Sequence, residues 1–329
     1  MLSGPAAAET FRIASYHLDL TGRGPGTVLR DILRGEDPVP ALLEVIVAAD
    51  ADVLVLQDID FDANGAALGA LADALSGRGA DYPHRLTLRP NTGWPTGVDL
   101  DGNGRSDEPR DAHGYGRFNG QGGMALLSRF PLGDVRNFST FLWQDLPDSA
   151  APGVTPEAAL PILRLHSVGA WDVEVLGPDS AFHLLMSHAT PPVFDGPEDR
   201  NGLRNADELR FWQLYLDGWT PEGPPFDGAH FAVTGTFNVD PERGEGLRPA
   251  LRALLGHPLL LDPEPSGANG LATVDWDDPV PGDLRVDYVL PSRTFTLHGA
   301  GVLWPSDGPL VELVSAASAH RLVWVDVSF

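Results

Sequence analysis

The sequence contains neither cysteine nor lysine. Without cysteine the chain has no disulfide bonds and no thiolate metal ligands, and its redox compartment is left open. All 22 cationic residues are arginines, against 46 acidic residues, so the formal net charge is −24. This charge repels phosphate and works against non-specific nucleic-acid binding, although a local arginine patch would override it. No apolar run approaches the roughly 20 residues of a membrane span.

The N-terminus has neither a cationic region nor an apolar core, so it is not an intact signal peptide. The segment Ala6-Ala-Ala-Glu9 resembles the remainder of a small-residue cleavage site. We therefore keep the hypothesis of a secreted or periplasmic protein, with a disordered or post-signal segment over residues 1–10. No linker or internal repeat divides the rest, which predicts a single domain over residues 11–329. We expect a monomer.

The hydrophobic pattern predicts strands and helices in alternation at the start of the chain. Strands are expected over residues 11–19 and 52–60, and helices over residues 39–49 and after Asn64, which is placed to cap the second one. This β-α-β-α opening predicts a layered α/β fold. Few helices separate the later predicted strands, so we expect two mixed sheets flanked by helices. Those strands cover residues 123–128, 182–187, 284–290 and 321–327, and the clearest late helix covers 205–216.

Polar side chains follow several predicted strands directly. Binding sites of layered α/β proteins gather at such strand ends, although a lone histidine there is more often a hydrogen-bonded structural residue. The nearly apolar strand over residues 52–60 closes with two carboxylates. The residues placed in this way are His17, Asp19, Asp58, Asp60, His188, Asn238, Asp287 and His320.

Residues 99–107 carry the spacing of a calcium-binding loop. Oxygen donors stand at relative positions 1, 3, 5 and 9, glycine stands at position 6, and a backbone carbonyl serves position 7. The five predicted ligands are Asp99, Asp101, Asn103, Arg105 through its carbonyl, and Asp107. Arg110 replaces the glutamate expected at position 12, where Glu108 or Asp111 can substitute. The flanks are not helical, so this is no EF-hand, and the alternative is an acidic turn that binds nothing.

The glycine-rich segment over residues 114–123 precedes a strand and does not connect a strand to a helix. That context is wrong for a dinucleotide or triphosphate cradle. We expect a flexible loop at the mouth of a site.

Six segments in register resemble the endonuclease/exonuclease/phosphatase superfamily. They run from the first predicted strand to the last, and their order and spacing agree with that family. The segments are Arg12-Ile-Ala-Ser-Tyr-His17, Val53-Leu-Val-Leu-Gln-Asp58, Gly123-Met-Ala-Leu-Leu-Ser-Arg129, Gly235-Thr-Phe-Asn238, Arg285-Val-Asp-Tyr-Val-Leu290 and Ser318-Ala-His-Arg-Leu-Val-Trp324. The resemblance implies a four-layer sandwich and metal-assisted hydrolysis of a phosphodiester, with nucleic acid among the candidate substrates.

The resemblance also implies roles for single residues. His188, Asn238 and His320 match the catalytic and phosphate-binding residues, and Asp287 matches a supporting aspartate. Carboxylates hold the divalent ion, usually Mg²⁺. In this chain a set of His17, Asp58 and Asp60 would be a mixed nitrogen and oxygen site, which suits Mn²⁺ or Zn²⁺ better.

Four family positions are substituted in this chain. His17 stands where the family has an asparagine, and Asp58 stands where it has a glutamate. Thr236 replaces the aspartate that activates water, and such a loss costs roughly 10²–10⁴-fold in rate. Ala319 replaces an aspartate that we expect to orient His320, at a cost on the order of 10⁴ by analogy with hydrolytic triads.

Three readings remain open from the sequence. The first is a metal-dependent phosphoesterase with a rearranged site, in which Asp19, Asp60, Asp62 or Asp240 compensates for the lost carboxylates. The second is a family member that has lost catalysis and acts as a binding or structural protein. The third is a calcium-stabilised protein of unrelated function, which would leave the six segments unexplained.

Overall fold

The computed structural model describes residues 9–276 and 279–329. Residues 1–8, most of the expected N-terminal segment, lie outside the described part. The strands are β1 Phe11–Leu20, β2 Val53–Ile59, β3 His84–Thr87, β4 Gly123–Ser128, β5 Leu132–Asn137, β6 Gly169–Leu176, β7 Ala181–His188, β8 Phe231–Thr236, β9 Asp287–Pro291, β10 Thr296–Val302 and β11 Val323–Ser328. The α-helices are α1 Thr27–Arg34, α2 Val39–Ala49, α3 Ala66–Ser76, α4 Ala151–Val154, α5 Arg200–Leu216, α6 Arg248–Leu255 and α7 Leu310–Ala317.

The strands form two mixed sheets. The six-stranded sheet has the order β10-β11-β1-β2-β4-β3, and the five-stranded sheet has the order β5-β6-β7-β8-β9. Two neighbouring pairs are parallel, β1 with β2 and β7 with β8. Parallel neighbours end at the same edge of a sheet, so each sheet delivers two strand ends side by side. The prediction of two mixed sheets flanked by helices is confirmed.

Three apolar layers hold the sandwich together. Valines, phenylalanines and leucines from both sheets pack between them, among them Val55, Leu126 and Val289, all at most 1% exposed. Helices α1, α2, α3 and α7 cover the outer face of the six-stranded sheet. Helices α5 and α6, with aromatic residues from the loops, cover the five-stranded sheet. Strand β2 is nearly all apolar because it lies between β1 and β4 in the sheet and is buried on both faces.

Two local predictions differ from the structure. The carboxylate of Asp62, not Asn64, accepts the first free amides of α3, from Ala66 and Ala67, each at 2.7 Å. The strand expected from residue 284 begins only at Asp287. Its preceding amides donate to side chains, Arg285 to Asp240 at 2.7 Å and Val286 to Thr273 at 3.0 Å, so they do not join the ladder.

No helix among the described residues is both long and apolar enough to cross a membrane.

Candidate active site

The site lies where the two sheets meet at one end of the sandwich. Strand β8 ends at Thr236, which is paired with Asp287 at the start of β9. Its parallel neighbour β7 ends at His188, and β1 of the other sheet carries His17. Since strands from both sheets converge here, no single stretch of sequence contains the site.

Asp287 is the hydrogen-bonding centre of this site. Its Oδ1 accepts the hydroxyl proton of Thr236 at 2.6 Å, and its Oδ2 accepts that of Thr273 at 3.0 Å. The same Oδ2 lies 2.7 Å from Nδ1 of His320. Burial raises the pKa of Asp287, but the charge and hydrogen bond of His320 outweigh burial, so the net shift is downward. Asp287 is therefore an anion that holds three neighbouring side chains in place.

This geometry corrects one expectation. We expected His320 to lose its orienting carboxylate because Ala319 stands where the family has an aspartate. The orienting carboxylate is instead Asp287, 33 positions away in sequence. Its contact with Nδ1 fixes the orientation of the ring, and only Nε2 remains for a substrate.

Thr236 also determines which nitrogen of His17 carries a proton. The threonine hydroxyl has a single proton and gives it to Asp287, because a carboxylate only accepts. Nδ1 of His17, 3.1 Å from the same hydroxyl, must therefore donate. Nε2 of His17 then faces Asp19 Oδ1 at 3.4 Å and Asp58 Oδ2 at 3.6 Å. Burial lowers the pKa of His17, but the two aspartates outweigh burial and raise it to about 10.

The two aspartates leave the regular pleat of their strands. Asp19 has φ 50° and Asp58 has φ 55°, in the left-handed region that non-glycine residues seldom adopt. The register between β1 and β2 shifts around Asp19, and that between β2 and β4 shifts around Asp58. Such bulges redirect side chains next to active sites. Here they bring both carboxylates towards His17.

Asp60 lies outside this cluster. Its Oδ2 accepts the amide of Gly22 at 2.8 Å and its Oδ1 accepts the amide of Gly122 at 3.1 Å. Burial raises the pKa of Asp60, partly opposed by these two hydrogen bonds. Two groups here could hold a metal, His17 with Asp19 and Asp58, and His17 with Asp287 and His320, with one ligand atom of each residue within 4.8 Å of the others in its group. The predicted trio of His17, Asp58 and Asp60 is not brought together.

His188 is a second histidine next to His17, and Asn238 is joined to the loop that follows it. The His188 ring lies 5.1 Å from that of His17 and is 7% exposed. Burial, with a smaller contribution from His17, lowers the pKa of His188 to about 3, so the ring is neutral at neutral pH. Asn238, at φ 59°, donates its amide to the carbonyl of Ala189 at 2.8 Å. That bond joins the loops that follow β7 and β8.

Helix α5 supports these loops through residues that the sequence analysis did not single out. Asn205 donates to the carbonyls of Thr190 at 2.7 Å and Phe237 at 2.8 Å. Glu208 accepts the amides of Ser167 at 2.8 Å and Thr190 at 2.5 Å. Both residues share the stripe of Leu209 and Trp212. Polar side chains in an apolar stripe are the signal from which they could have been found, because a buried polar group needs a partner.

The predicted calcium loop holds itself together through its own backbone. Asp99 accepts the amides of Gly102 and Gly104 at 2.7 Å each, and these bonds lower its pKa. Oxygens of Asp99, Asp101 and Asp111 lie within 4.8 Å of one another. The remaining predicted ligands have other neighbours: the amide of Arg105 donates to Asn103 Oδ1 at 2.9 Å, and Asp107 is not part of the trio. Asp111, one of the alternatives for position 12, joins the predicted pair.

Gly122 leaves space for the carboxylate of Asp58. It has φ +60°, and a Cβ on this residue would stand 2.5 Å from Oδ1 of Asp58. His17 Nε2 and the facing carboxylate oxygens are all atoms that bind divalent ions. A cation also fits their charge, because it would take the place of the Nε2 proton that otherwise lies between the imidazole and two anions. The residues present therefore fit a divalent metal.

A four-layer sandwich with histidines, an asparagine and carboxylates at the junction of its sheets is typical of metal-assisted phosphoesterases. The sequence model described as the Endonuclease/Exonuclease/phosphatase family matches residues 29–320, and the chain belongs to this family. Family enzymes are generally dependent on a divalent metal and hydrolyse phosphoester bonds. A comparison with curated protein sequences finds no match.

Solved structures share the fold at low sequence identity. The endonuclease/exonuclease/phosphatase from Beutenbergia cavernae has a TM-score of 0.62 at 19% identity, covering 97% of this chain and 72% of that one. TDP2 from D. rerio, complexed with a single-strand DNA product, has a TM-score of 0.53 at 14% identity, covering 97% and 99%. Beta toxin from Staphylococcus aureus, with bound magnesium ions, has a TM-score of 0.53 at 11% identity, covering 98% and 100%.

Proposed function

We propose that the protein is a divalent-metal-dependent hydrolase of a phosphodiester. One observation carries the proposal: the His17 ring lies 3.8 Å from that of His320 and 5.1 Å from that of His188. Phosphate-binding and metal-binding side chains from both sheets are thereby adjacent. A purely structural histidine cluster would not need the buried Asp287 to orient one of its rings.

The hydrogen bonds of each side chain indicate its role in the proposed reaction. His320, held through Nδ1 by Asp287, presents Nε2 to the water that attacks the phosphoryl group. Neutral His188 and the amide of Asn238 donate hydrogen bonds to the phosphoryl oxygens, on which negative charge develops. Asn238 is held in place by its bond to Ala189. These groups position the phosphodiester for in-line attack.

Thr236 does not take the proton from the attacking water, because its hydroxyl is not a base at neutral pH. His320 with Asp287 is the intact pair of base and orienting carboxylate, so we assign the proton to Nε2 of His320. Thr236 acts instead as a positioning residue, since it ties His17 to Asp287.

The divalent ion would be held by His17 and the neighbouring carboxylates. When bound it offsets negative charge on the phosphoryl oxygens. The mixed donor set favours Mn²⁺ or Zn²⁺ over Mg²⁺. We keep Ca²⁺ at residues 99–107 as a structural ion, with Asp111 as an added carboxylate.

The substrate proposed first is a nucleic acid. The support is the D. rerio relative, which was solved with a DNA product. Against it stands the net charge of −24, which disfavours long polyanions and favours a short substrate. The proposal also includes a single folded unit over residues 11–329, a monomeric state and export from the cell.

A second candidate function is binding without catalysis. It is favoured by Thr236, because the family base is absent from a site that is otherwise well ordered. In this case His188 and Asn238 would bind a phosphate group and leave it intact.

A hydrolysis assay distinguishes the catalytic function from the binding function. Its substrates are bis-p-nitrophenyl phosphate and short DNA, each with Mg²⁺, Mn²⁺, Zn²⁺ or Ca²⁺. We expect turnover with at least one ion, lost in His188→Ala and His320→Ala and kept in His84→Ala. His84 lies on β3 at the outer edge of the six-stranded sheet and serves as the matched control. Turnover that survives both site substitutions comes from a contaminant. Absence of turnover with every ion supports the binding function.

A further inference from the structure

We propose that Arg89, Trp94 and Arg164 form a second phosphate-binding site, which takes a phosphate of an oligonucleotide other than the one that is hydrolysed. The inference deepens the proposed function and rests on it for the class of substrate. The three residues, called the Trp94 patch below, lie on residues 88–122 between β3 and β4 and on residues 138–168 between β5 and β6. They supply local positive charge in a chain whose net charge is −24.

The ring of Trp94 supports both guanidinium groups. The guanidinium carbon of Arg164 lies 4.3 Å from the centroid of this ring, and that of Arg89 lies 5.0 Å from it. A guanidinium over an indole ring makes a favourable cation–π contact, and its N–H groups still point outwards in its own plane. Nη1 of Arg164 also donates to Oδ1 of Asn91 at 2.6 Å, which fixes that side chain further. The patch is therefore a preorganised set of donors in the geometry that phosphate oxygens accept.

The positive charge of the patch is not balanced by a neighbouring carboxylate. Within residues 9–276 and 279–329, the ion pairs involve other arginines, and neither Arg89 nor Arg164 takes part in one. Burial lowers the pKa of Arg164, and no carboxylate raises it. Burial, with smaller contributions from the charges of Arg164 and Arg204, lowers the pKa of the nearby His113 to about 4. An anion bound here would offset this positive potential.

The Trp94 patch is connected to the segment that borders Asp58. Pro90 follows Arg89 and packs against Gly123, since a Cβ on this glycine would lie 3.3 Å from Cγ of Pro90. Gly123 is paired with Ile59, the residue after Asp58. A substrate whose scissile phosphate lies at the active site can therefore place a flanking phosphate on the patch.

The same segments are also connected to the loop that follows β7 and His188. The side-chain amide of Asn91 donates to the carbonyl of His166 at 2.6 Å. The next amide, that of Ser167, donates to Glu208, which also accepts the amide of Thr190. The patch and the phosphate-binding loop are thus held in a fixed relation by buried hydrogen bonds.

Exposed side chains next to the patch favour an oligonucleotide over a free phosphate ion. Tyr115 is 62% exposed, and Arg117 is exposed as well. Gly116 between them packs against the segment of Trp94, because a Cβ on Gly116 would lie 2.6 Å from the amide nitrogen of Gly93. Proteins that bind single strands combine aromatic rings, on which bases stack, with cationic side chains along the backbone. A free phosphate ion would use only the arginines.

Binding of a fluorescent oligothymidylate to the full chain in excess EDTA, followed by anisotropy, tests the inference without hydrolysis. Arg89→Gln should raise Kd by at least about tenfold, as expected for the loss of one charge-assisted contact to phosphate. The slope of log Kd against log salt concentration should become shallower by about 0.7, the value for one contact on a single strand. Arg34→Gln is the matched control and should change neither quantity, because it removes an exposed arginine from α1 on the outer face of the six-stranded sheet.

Two further measurements distinguish phosphate binding from a structural role of Arg89. Arg89→Lys keeps the charge but lacks the planar fork, so it should restore the salt slope and only part of the affinity. In steady-state hydrolysis, Arg89→Gln should raise KM for oligothymidylate and leave KM for bis-p-nitrophenyl phosphate unchanged, because the latter has a single phosphate. Thermal unfolding of each variant verifies folding.

Equal Kd and equal salt slopes in the native chain and Arg89→Gln overturn the inference, and so does an equal loss of affinity in Arg34→Gln. A native chain that binds no oligothymidylate, or that binds inorganic phosphate as tightly, also overturns it. The same is true if KM for bis-p-nitrophenyl phosphate rises as much as KM for the oligonucleotide. Binding that depends on Arg89 without hydrolysis under any ion would overturn the catalytic function alone. Hydrolysis with a KM independent of Arg89 would overturn only this inference.

Discussion

Thr236 donates its hydroxyl proton to the buried carboxylate of Asp287 across 2.6 Å, where a second carboxylate would be expected from the family pattern. The substitution removes a base and gives Asp287 a hydrogen bond. The hydroxyl oxygen of Thr236 also accepts a hydrogen bond from His17. One hydroxyl therefore connects the five-stranded sheet to β1 of the other sheet. Its loss therefore affects stability as well as chemistry.

Thr236→Val should destabilise the protein by about 1–3 kcal/mol, because the isosteric methyl group leaves a buried carboxylate and an imidazole each short of one partner. Urea unfolding followed by circular dichroism measures the difference. Thr236→Ser keeps the hydroxyl and should retain most of the stability. Equal stabilities for the valine variant and the native chain would show that the hydrogen bond contributes nothing.

Asp287→Asn should lower kcat by up to about 10⁴-fold, by analogy with the orienting aspartate of hydrolytic triads, and change KM little. The asparagine keeps the shape but no longer stabilises a protonated His320. Steady-state hydrolysis of bis-p-nitrophenyl phosphate measures both constants. Asp326→Asn, on β11 in an ion pair with Arg12, is the control. A kcat for Asp287→Asn near the native value would remove His320 from the proton transfer.

Asn205→Leu should cost at least about 2 kcal/mol of stability, because the carbonyls of Thr190 and Phe237 both lose a buried donor. It should also raise KM, since these carbonyls belong to the loops that carry His188 and Asn238. Gln213→Leu removes a single bond, to Ala250, from the same helix and should leave KM unchanged. If both variants alter KM equally, helix packing and not the Asn205 bridge is responsible.

The sequence predicted more of the fold than of the site. His188, Asn238 and His320 could be identified because each follows or borders an apolar strand, a local pattern. The cluster of His17, Asp19 and Asp58 could not, because it depends on two bulges. Strict alternation puts Asp58 and Asp60 on one face, but the left-handed conformation of Asp58 breaks that period.

Hydrogen-bond partners from distant segments of the site also could not be predicted from local sequence patterns. Asp287 and His320 pair from different segments, and the carboxylate of Asp19 reaches Ala319 over 300 positions. Contacts of this kind follow from how β1, β9 and β11 are arranged in space. Asn205 and Glu208 in the apolar stripe of α5 were local signals left unused.

Calcium should raise the melting temperature of the native chain, by a stabilisation of about 2.7 kcal/mol at a concentration 100 times Kd. Asp101→Ala should abolish this shift, because Asp101 lies within the trio with Asp99 and Asp111. Asp107→Ala should reduce it less, since Asp107 lies outside the trio. Differential scanning fluorimetry with and without chelator measures all three. No shift in the native chain would leave the loop as an acidic turn without a ligand.

His183 and Asp172 should make stability dependent on pH at a place remote from the active site. Nδ1 of His183 lies 2.6 Å from Oδ1 of Asp172, whose Oδ2 accepts the hydroxyl of Tyr215 at 2.6 Å. Burial lowers the pKa of His183, but the hydrogen bond and charge of Asp172 outweigh burial and raise it overall. The folded chain therefore binds this proton more tightly than the unfolded chain does. The resulting stabilisation is complete below the unfolded pKa of about 6.5 and is lost as pH rises through the folded value.

His183→Gln should accordingly lower the free energy of unfolding more at pH 5.5 than at pH 9. Urea titrations of the native chain and the variant at a series of pH values give the difference directly. Gln213→Leu, which removes no titratable group, is the control, and its difference should not change with pH. The difference in free energy of unfolding between the native chain and His183→Gln could instead stay constant or increase towards pH 9. That result would show that the ring gains no proton affinity on folding.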